Sequence, residues 1–265
     1  MQRRRKAEMS TLSEILPNYQ SRRHLLQNVH LPAKAYGGPN FLYMKTHKAA
    51  CTNVLTLLIT QMHAALSSDA ALEISMEGVH NLPTDYLRAG ARGLEWPTVE
   101  DALFGPEWFR FTVIREPLSR TVSAWSDKLQ GNTRQRRDLN KVLGRDLETE
   151  ISLPGFLDII AQDEEARLID RHWRPQHLEI SYGQVRYDLI GRVEDMQAAR
   201  AQIVETLFGP RGHKVTILDT RKHLGHTSSS RADREALTAQ DRRNVERAFA
   251  SDFDMYERVA SAPVA

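Results

Sequence analysis

Twice in this chain a short apolar run of strand length stops at a cluster of cations and leads straight into an apolar helix pattern. Phe41-Leu42-Tyr43-Met44 is followed by Lys45-Thr46-His47-Lys48-Ala49-Ala50-Cys51-Thr52-Asn53, then by Val54, Leu58, Met62 and Leu66 at helical spacing. Thr52 or Asn53 is expected to cap that helix. Phe109 to Ile114 is followed by Arg115-Glu116-Pro117, then by Leu118, Val122, Trp125 and Leu129. Pro117 suits the first turn of a helix, where a missing N–H costs nothing. Further strands are expected at Tyr187–Gly191 and Val215–Leu218, with helices over Ala198–Leu207 and Gln240–Val259. Strand alternating with helix predicts an α/β fold: a central, mostly parallel sheet with helices on both faces.

Residues 1–38 read as a peripheral segment, basic at the tip and broken by Pro32 and Gly37-Gly38-Pro39. Residues 39–260 read as one domain, within the size that single α/β domains reach. The 36 Lys+Arg against 34 Asp+Glu leave a net charge of +2, too little to imply nucleic acid as a partner. One cysteine excludes an internal disulfide framework and a cysteine-rich zinc site, and favours a reducing compartment. No apolar run approaches the roughly 18 residues of a membrane span, and no signal-peptide core follows the basic start. A cytoplasmic protein is expected; its oligomeric state is not legible.

Both junctions suit a phosphate. Ligands of open α/β sheets bind at the carboxyl ends of strands, where a helix start offers N–H groups and a positive dipole end. At the first junction Ala49 and Ala50 keep the turn free of bulk, Thr52 adds a hydroxyl and Lys48 a mobile cation. No glycine lies between Lys45 and Asn53, so this is not the glycine-rich loop that cradles ATP. An ordinary basic turn would carry the same residues. At the second junction Arg115 can grip a phosphate bidentately, and Ser119 and Ser123, four apart, share a helix side. The alternative there is an Arg115 paired to a carboxylate and a solvated Arg120.

Taken together, the two junctions resemble those of the PAPS-dependent carbohydrate sulfotransferases. The closest likeness is to the group of chondroitin and dermatan 4-O-sulfotransferases, with uronyl and heparan 2-O-sulfotransferases more distant. Lys48-Ala49-Ala50-Cys51-Thr52-Asn53 is similar to the family's 5′-phosphosulfate loop. Arg115-Glu116-Pro117 through Arg120 and Ser123-Ala124-Trp125 is similar to its 3′-phosphate motif. His172-Trp173-Arg174-Pro175, Tyr187-Asp188-Leu189-Ile190-Gly191-Arg192-Val193-Glu194 and Ser251-Asp252-Phe253 resemble three further family elements, in family order. His47 departs from the pattern, standing where the family usually has proline. The paired cysteines and membrane anchor of the animal Golgi members are also missing from it, which leaves compartment and acceptor open.

The resemblance implies a P-loop-like sulfotransferase fold and 3′-phosphoadenosine 5′-phosphosulfate (PAPS) as donor. It implies donor contacts from Lys48, Ala49, Ala50, Cys51, Thr52, Asn53, Arg115 and Ser123, and from Ser229 or Arg231 in a closing segment. Sulfuryl transfer needs positioning and charge stabilisation, and no metal is expected. Lys48 is expected to meet charge on the leaving oxygen, and His80 or His172 to accept the acceptor's proton, with Glu194 a weaker third. Trp173 suits either a sugar ring or the core. The five basic residues from Arg134 to Arg145, beside the lone acid Asp138, read as a loop or a solvated helix facing an anionic acceptor. Two rival functions are a small-molecule kinase, which would want magnesium carboxylates, and a module that binds polyanions without catalysis.

Overall fold

The structure, a computed structural model, describes residues 10–66, 79–80, 84–209 and 229–261. Five strands form its sheet: β1 (Val29–Pro32), β2 (Asn40–Met44), β3 (Leu87–Ala89), β4 (Trp108–Ile114) and β5 (Leu189–Arg192). Their order is β3-β1-β2-β4-β5. β4 runs parallel to both its neighbours, with Tyr43 opposite Phe111 and Val113 opposite Gly191. β1 pairs antiparallel with β2 and with β3. The sheet is therefore mixed: the half that carries both junctions is parallel, as expected, and the β1 side is not.

The peripheral reading of residues 1–38 needs correction on the same evidence of pairing. β1 is an interior strand of the sheet, and the helices before it, α1 (Leu12–Ile15) and α2 (Arg22–Asn28), are packed in the core through Ile15 and Leu25. Two sides of the sheet are buried because strand side chains alternate. Phe41, Tyr43, Phe111 and Val113 meet α3 (Cys51–Leu66) on one face; Leu42, Met44 and Ile114 meet a second cluster with Leu25 and α4 (Trp96–Phe104) on the other. α3 buries Val54, Leu55, Leu57, Leu58, Ile59 and Met62, which explains why its apolar stripe is so wide.

Beside the sheet stands a helical layer. α5 (Pro117–Lys128), α6 (Arg134–Val142), α7 (Leu153–Gln162), α8 (Glu164–Leu168) and the short α9 (Gln176–Glu179) lead to β5. After β5 come α10 (Met196–Phe208), α11 (Ser229–Glu235), α12 (Ala239–Ala248) and α13 (Ala250–Ser261). The single closing helix expected over Gln240–Val259 is two, because Phe249 leaves helical geometry at φ −127° and ψ 31°. The strand expected at Val215–Leu218 lies outside the described residues. The basic run from Arg134 is the helix α6, and it is not wholly solvated: Arg136, Leu139 and Asn140 are buried, with Arg136 facing Glu148 at 3.4 Å.

β5 lies against α10 through a glycine. A Cβ built on Gly191 would stand 2.7 Å from the Ala199 Cβ. Gly191→Ala should therefore push α10 off the sheet and cost about 1–3 kcal/mol by overpacking. Chemical denaturation measures it; an unchanged midpoint would show that α10 shifts freely.

Candidate active site

The first junction is a strained turn. Lys48 has φ +63° and Ala50 φ +55°, both in the left-handed region, on either side of the buried Ala49. Each such residue costs roughly 1–2 kcal/mol outside glycine. Alternating handedness of this kind turns successive N–H groups into an anion-binding concavity. Glycine-free strain persists only where the surroundings over-determine it, and here two arginines do. Arg120 Nε donates to the His47 carbonyl at 2.9 Å, and Arg115 Nη1 donates to the Lys48 carbonyl at 3.2 Å.

α3 begins at Cys51, so Thr52 and Asn53 lie within its first turn and do not cap it. The Thr52 hydroxyl instead meets His80 Nε2 at 3.0 Å. Asn53 buries its amide oxygen without a partner. Lys48 Nζ stands 2.9 Å from Asp127 Oδ2, near the end of α5.

At the second junction the helix start is already filled. Glu116 caps α5 with its own carboxylate, accepting from Leu118 N at 2.9 Å and Ser119 N at 2.7 Å. Anion binding here must come from side chains rather than from free N–H groups. Arg115, half-buried Ser123 one turn beyond Ser119, and Arg234 of α11 are those side chains. Arg234 Nη1 donates to the Ser119 hydroxyl, and its charge reaches Arg115. Sequence reasoning missed Arg234; its nearest signal was the basic, hydroxyl-rich run ending at Arg231, one turn earlier. Ser229 and Arg231 open α11, but their side chains lie outside those described, as do residues 223–228.

Arg115 is held by its backbone. Its N–H donates to Gln176 Oε1 at 2.9 Å, and its carbonyl accepts from Gln176 Nε2 at 2.8 Å. Gln176 is in turn fixed by Asp252, a buried carboxylate that accepts from Gln176 N at 2.7 Å, His177 N at 2.9 Å and His177 Nδ1. This is the work of the Ser251-Asp252-Phe253 element. Glu194 has a similar duty: it accepts from Glu116 N at 3.2 Å and from the Tyr256 hydroxyl at 2.9 Å. Those bonds commit Glu194 to orienting the junction and leave it poorly suited to be a base. Arg120 is not solvated. It is 1% exposed, and its Nη2 donates to the Arg171 carbonyl at 3.1 Å while its Nε holds His47.

That single guanidinium brings the His172 loop against the Lys48 loop. The His47 and His172 rings meet edge to face with centroids 5.0 Å apart. Asp170 Oδ1 accepts from His172 N at 2.8 Å and lies 2.6 Å from His172 Nδ1. A proton on Nδ1 completes that contact and leaves the lone pair on Nε2. Burial pulls the His172 pKa below its ordinary value, against the pull of Asp170. His80 is also lowered, by desolvation and then by the Lys45 and Lys128 ammonium groups. Both imidazoles are therefore neutral at pH 7. Trp173 is a core residue, fully buried against Phe156 with Nε1 donating to the Ala166 carbonyl at 2.9 Å, and offers no face to a sugar. Among the described residues no group of three or more His, Cys, Asp or Glu is arranged to hold a metal ion, and no helix is long and apolar enough to cross a membrane.

A five-stranded mixed sheet with two cationic strand-to-helix junctions side by side forms a cationic site suited to anions at the carboxyl ends of parallel strands. The sulfotransferase family model matches residues 37–257, and the chain belongs to that family. Carbohydrate sulfotransferase 14 of Mus musculus is 27% identical over 199 residues, covering 71% of this chain and 49% of the relative. The Danio rerio protein of that name is 23% identical over 186 residues, 64% of this chain and 47% of the relative. The Homo sapiens one is 28% identical over 113 residues, 39% and 30% respectively. The chain thus spans about half or less of the curated relatives it matches. No solved structure matches it significantly.

Arg120→Lys should loosen both loops, because an ammonium cannot reproduce a planar fork that reaches two carbonyls. A loss of about 1.5–3 kcal/mol is expected. Denaturant melts measure it, and wild-type stability would show that the two carbonyls do not depend on Arg120.

Proposed function

We propose that this chain transfers a sulfuryl group from PAPS to a hydroxyl of a carbohydrate or glycan-like acceptor. The observation that carries the reading is the Arg115 Nη1 bond to the Lys48 carbonyl, 3.2 Å, which locks the two cationic junctions together. A nucleotide with anionic groups on both the 5′ and 3′ sides of one ribose suits such a pair. The residues present fit it. A turn whose side chains at positions 49 and 50 are only methyl groups, backed by Lys48 and Thr52, suits the 5′-phosphosulfate. Arg115, Ser123 and Arg234 suit the 3′-phosphate.

The donor supplies the sulfuryl group: the acceptor oxygen bonds to sulfur as the bond from sulfur to the 5′-phosphate oxygen breaks, and the acceptor proton passes to a base. Lys48 is placed to meet negative charge growing on that phosphate oxygen, which makes it a transition-state contact. His172 is the base that the geometry supports best, since Asp170 fixes its ring and leaves Nε2 to accept. His80 is the second reading, favoured by its 3.0 Å contact with Thr52 at the donor loop. An anionic acceptor suits the cations Lys45, Lys128 and Arg171 that reach these histidines. We also propose a reducing compartment, the cytoplasm, on the ground of the one cysteine.

Calorimetry with adenosine 3′,5′-bisphosphate, ATP plus magnesium, and heparin separates this reading from a kinase or a polyanion module. Tight binding of the bisphosphate alone is expected. Arg115→Ala should weaken it by roughly 1.5–3 kcal/mol. Equal affinity of the two proteins would remove Arg115 from the site.

His172→Ala should lower turnover by about 10²–10⁴-fold with bisphosphate affinity unchanged. A base must be neutral, and burial has lowered the His172 pKa. The acid limb of kcat/KM should therefore fall below about pH 6.5, the ordinary imidazole value. Loss of turnover in His80→Ala with His172→Ala active would move the base to His80. Full activity in both would exclude either histidine as base.

A further inference from the structure

Lys48 does not stand alone at its junction. Its ammonium lies 2.9 Å from Asp127 Oδ2, and the same carboxylate oxygen is 3.1 Å from Lys128 Nζ. The Lys48 side chain is 13% exposed and that of Asp127 34%, so the lysine end of the pair is held in the fold while the carboxylate end meets solvent. Asp127 lies four residues beyond Ser123 on α5, one turn along the same side of the helix. α5 thus presents, in sequence, the serines of the second junction and the carboxylate that meets the lysine of the first.

We propose that Asp127 is the positioning residue of Lys48: it holds the ammonium at the mouth of the first junction, and Lys128 takes over the carboxylate when a donor anion draws Lys48 away. The proposal rests on the sulfotransferase reading of Lys48. Two ammonium groups share one carboxylate, so the trio carries a net charge of +1 and still attracts an anion. When Lys48 turns to that anion, Asp127 is not left unpaired, because Lys128 remains 3.1 Å away.

The charges around Lys48 fix the sign of the effect. Desolvation is the largest influence and drives its pKa down; Asp127 opposes this by charge and hydrogen bond, Lys128 adds to it, and Cys51 of α3 opposes it weakly. Arg115 touches the backbone carbonyl of Lys48 rather than its ammonium. Without Asp127, burial and Lys128 would act against one remaining weak counterweight, and the amine would lose its proton at lower pH. Asp127 itself cannot serve as the base for the acceptor. The two lysines hold its pKa at about 2, so it stays ionised and binds no proton at working pH.

The test measures Lys48 directly. The ligand-free protein is pulsed with acetic anhydride between pH 7 and 10, and the extent of Lys48 acylation is read by peptide mass spectrometry. Asp127→Asn should acylate Lys48 severalfold faster at pH 8, as expected for an amine whose pKa falls when its carboxylate partner is lost. Asp127→Glu should restore the slow rate, and Lys128→Ala should slow it further by removing a like charge. With a working acceptor, the alkaline limb of kcat in Asp127→Asn should move to lower pH while bisphosphate affinity at pH 7 stays the same or tightens. Wild-type acylation rates in Asp127→Asn would overturn the proposal. A wild-type protein that binds no bisphosphate would sink the donor reading and the positioning role with it, whereas the labelling alone reports on the ion pair.

Discussion

A buried guanidinium organises this site. Arg120 sits at 1% exposure inside the helical layer, and its two hydrogen bonds go to carbonyls of two separate loops, those of His47 and Arg171. An isolated buried charge costs several kcal/mol unless hydrogen bonds and opposite charge offset it. Here the offset comes from those carbonyls and, at longer range, from Asp252, Glu179 and Asp170. Each of those carboxylates has its own task. Asp252 fixes Gln176 and through it Arg115; Asp170 fixes His172; Glu179 ties α2 to α9 through His24 and Asn28. Glu179 Oε1 also lies 3.2 Å from Arg174 Nε, within ion-pair reach though out of line for a hydrogen bond. The wall behind the junctions is therefore one electrostatic unit, and Arg120 is the cation that all three carboxylates face.

That wall explains how a turn without glycine holds a glycine-like shape. Lys48 and Ala50 both sit in the left-handed region. On its own such a turn would relax, since an L-residue gains about 1–2 kcal/mol by leaving that region. The bonds from Arg120 and Arg115 land on the carbonyls of His47 and Lys48, the residues where the chain would have to rotate. Fixing the carbonyls fixes the peptide planes, and with them the directions of the following N–H groups. Side-chain chemistry elsewhere in the chain thus substitutes for the backbone freedom that a glycine-rich loop carries locally.

This division also accounts for what could be read from the sequence. β2, α3, β4 and α5 were legible because each carries an unbroken apolar pattern of its own period. β1 and β3 were not: Val29-His30-Leu31-Pro32 contains a histidine and a proline, and neither strand exceeds four residues. His30 is completely buried, its Nδ1 satisfied by the Asn28 carbonyl at 2.9 Å, a contact that no pattern of polarity foretells. At the site, Lys48 and Arg115 stood out because cations at strand ends are unusual. Arg120, whose sequence alternative was a solvated helix arginine, is instead turned inward by packing. Arg234 and Asp252 act across 115 and 76 residues of chain, and only the folded arrangement puts them next to Ser119 and Gln176.

On the proposed reading, the same electrostatics links the donor junction to the histidines beside it. Burial is the first cause that lowers three imidazoles, and cations add to it: Lys45 and Arg171 at His47, Lys45 and Lys128 at His80, and Lys128 and Arg171 at His172. Each imidazole is held below its ordinary pKa, and so it is neutral but weakly basic. An anion arriving at the first junction offsets those cations, which raises the basicity of a nearby imidazole towards its ordinary value near 6.5. Brønsted behaviour makes a base most effective when its pKa approaches the working pH. On the proposed reading, a histidine in this setting would gain basicity when a donor anion offsets the neighbouring cations, while burial would still hold it below its ordinary value.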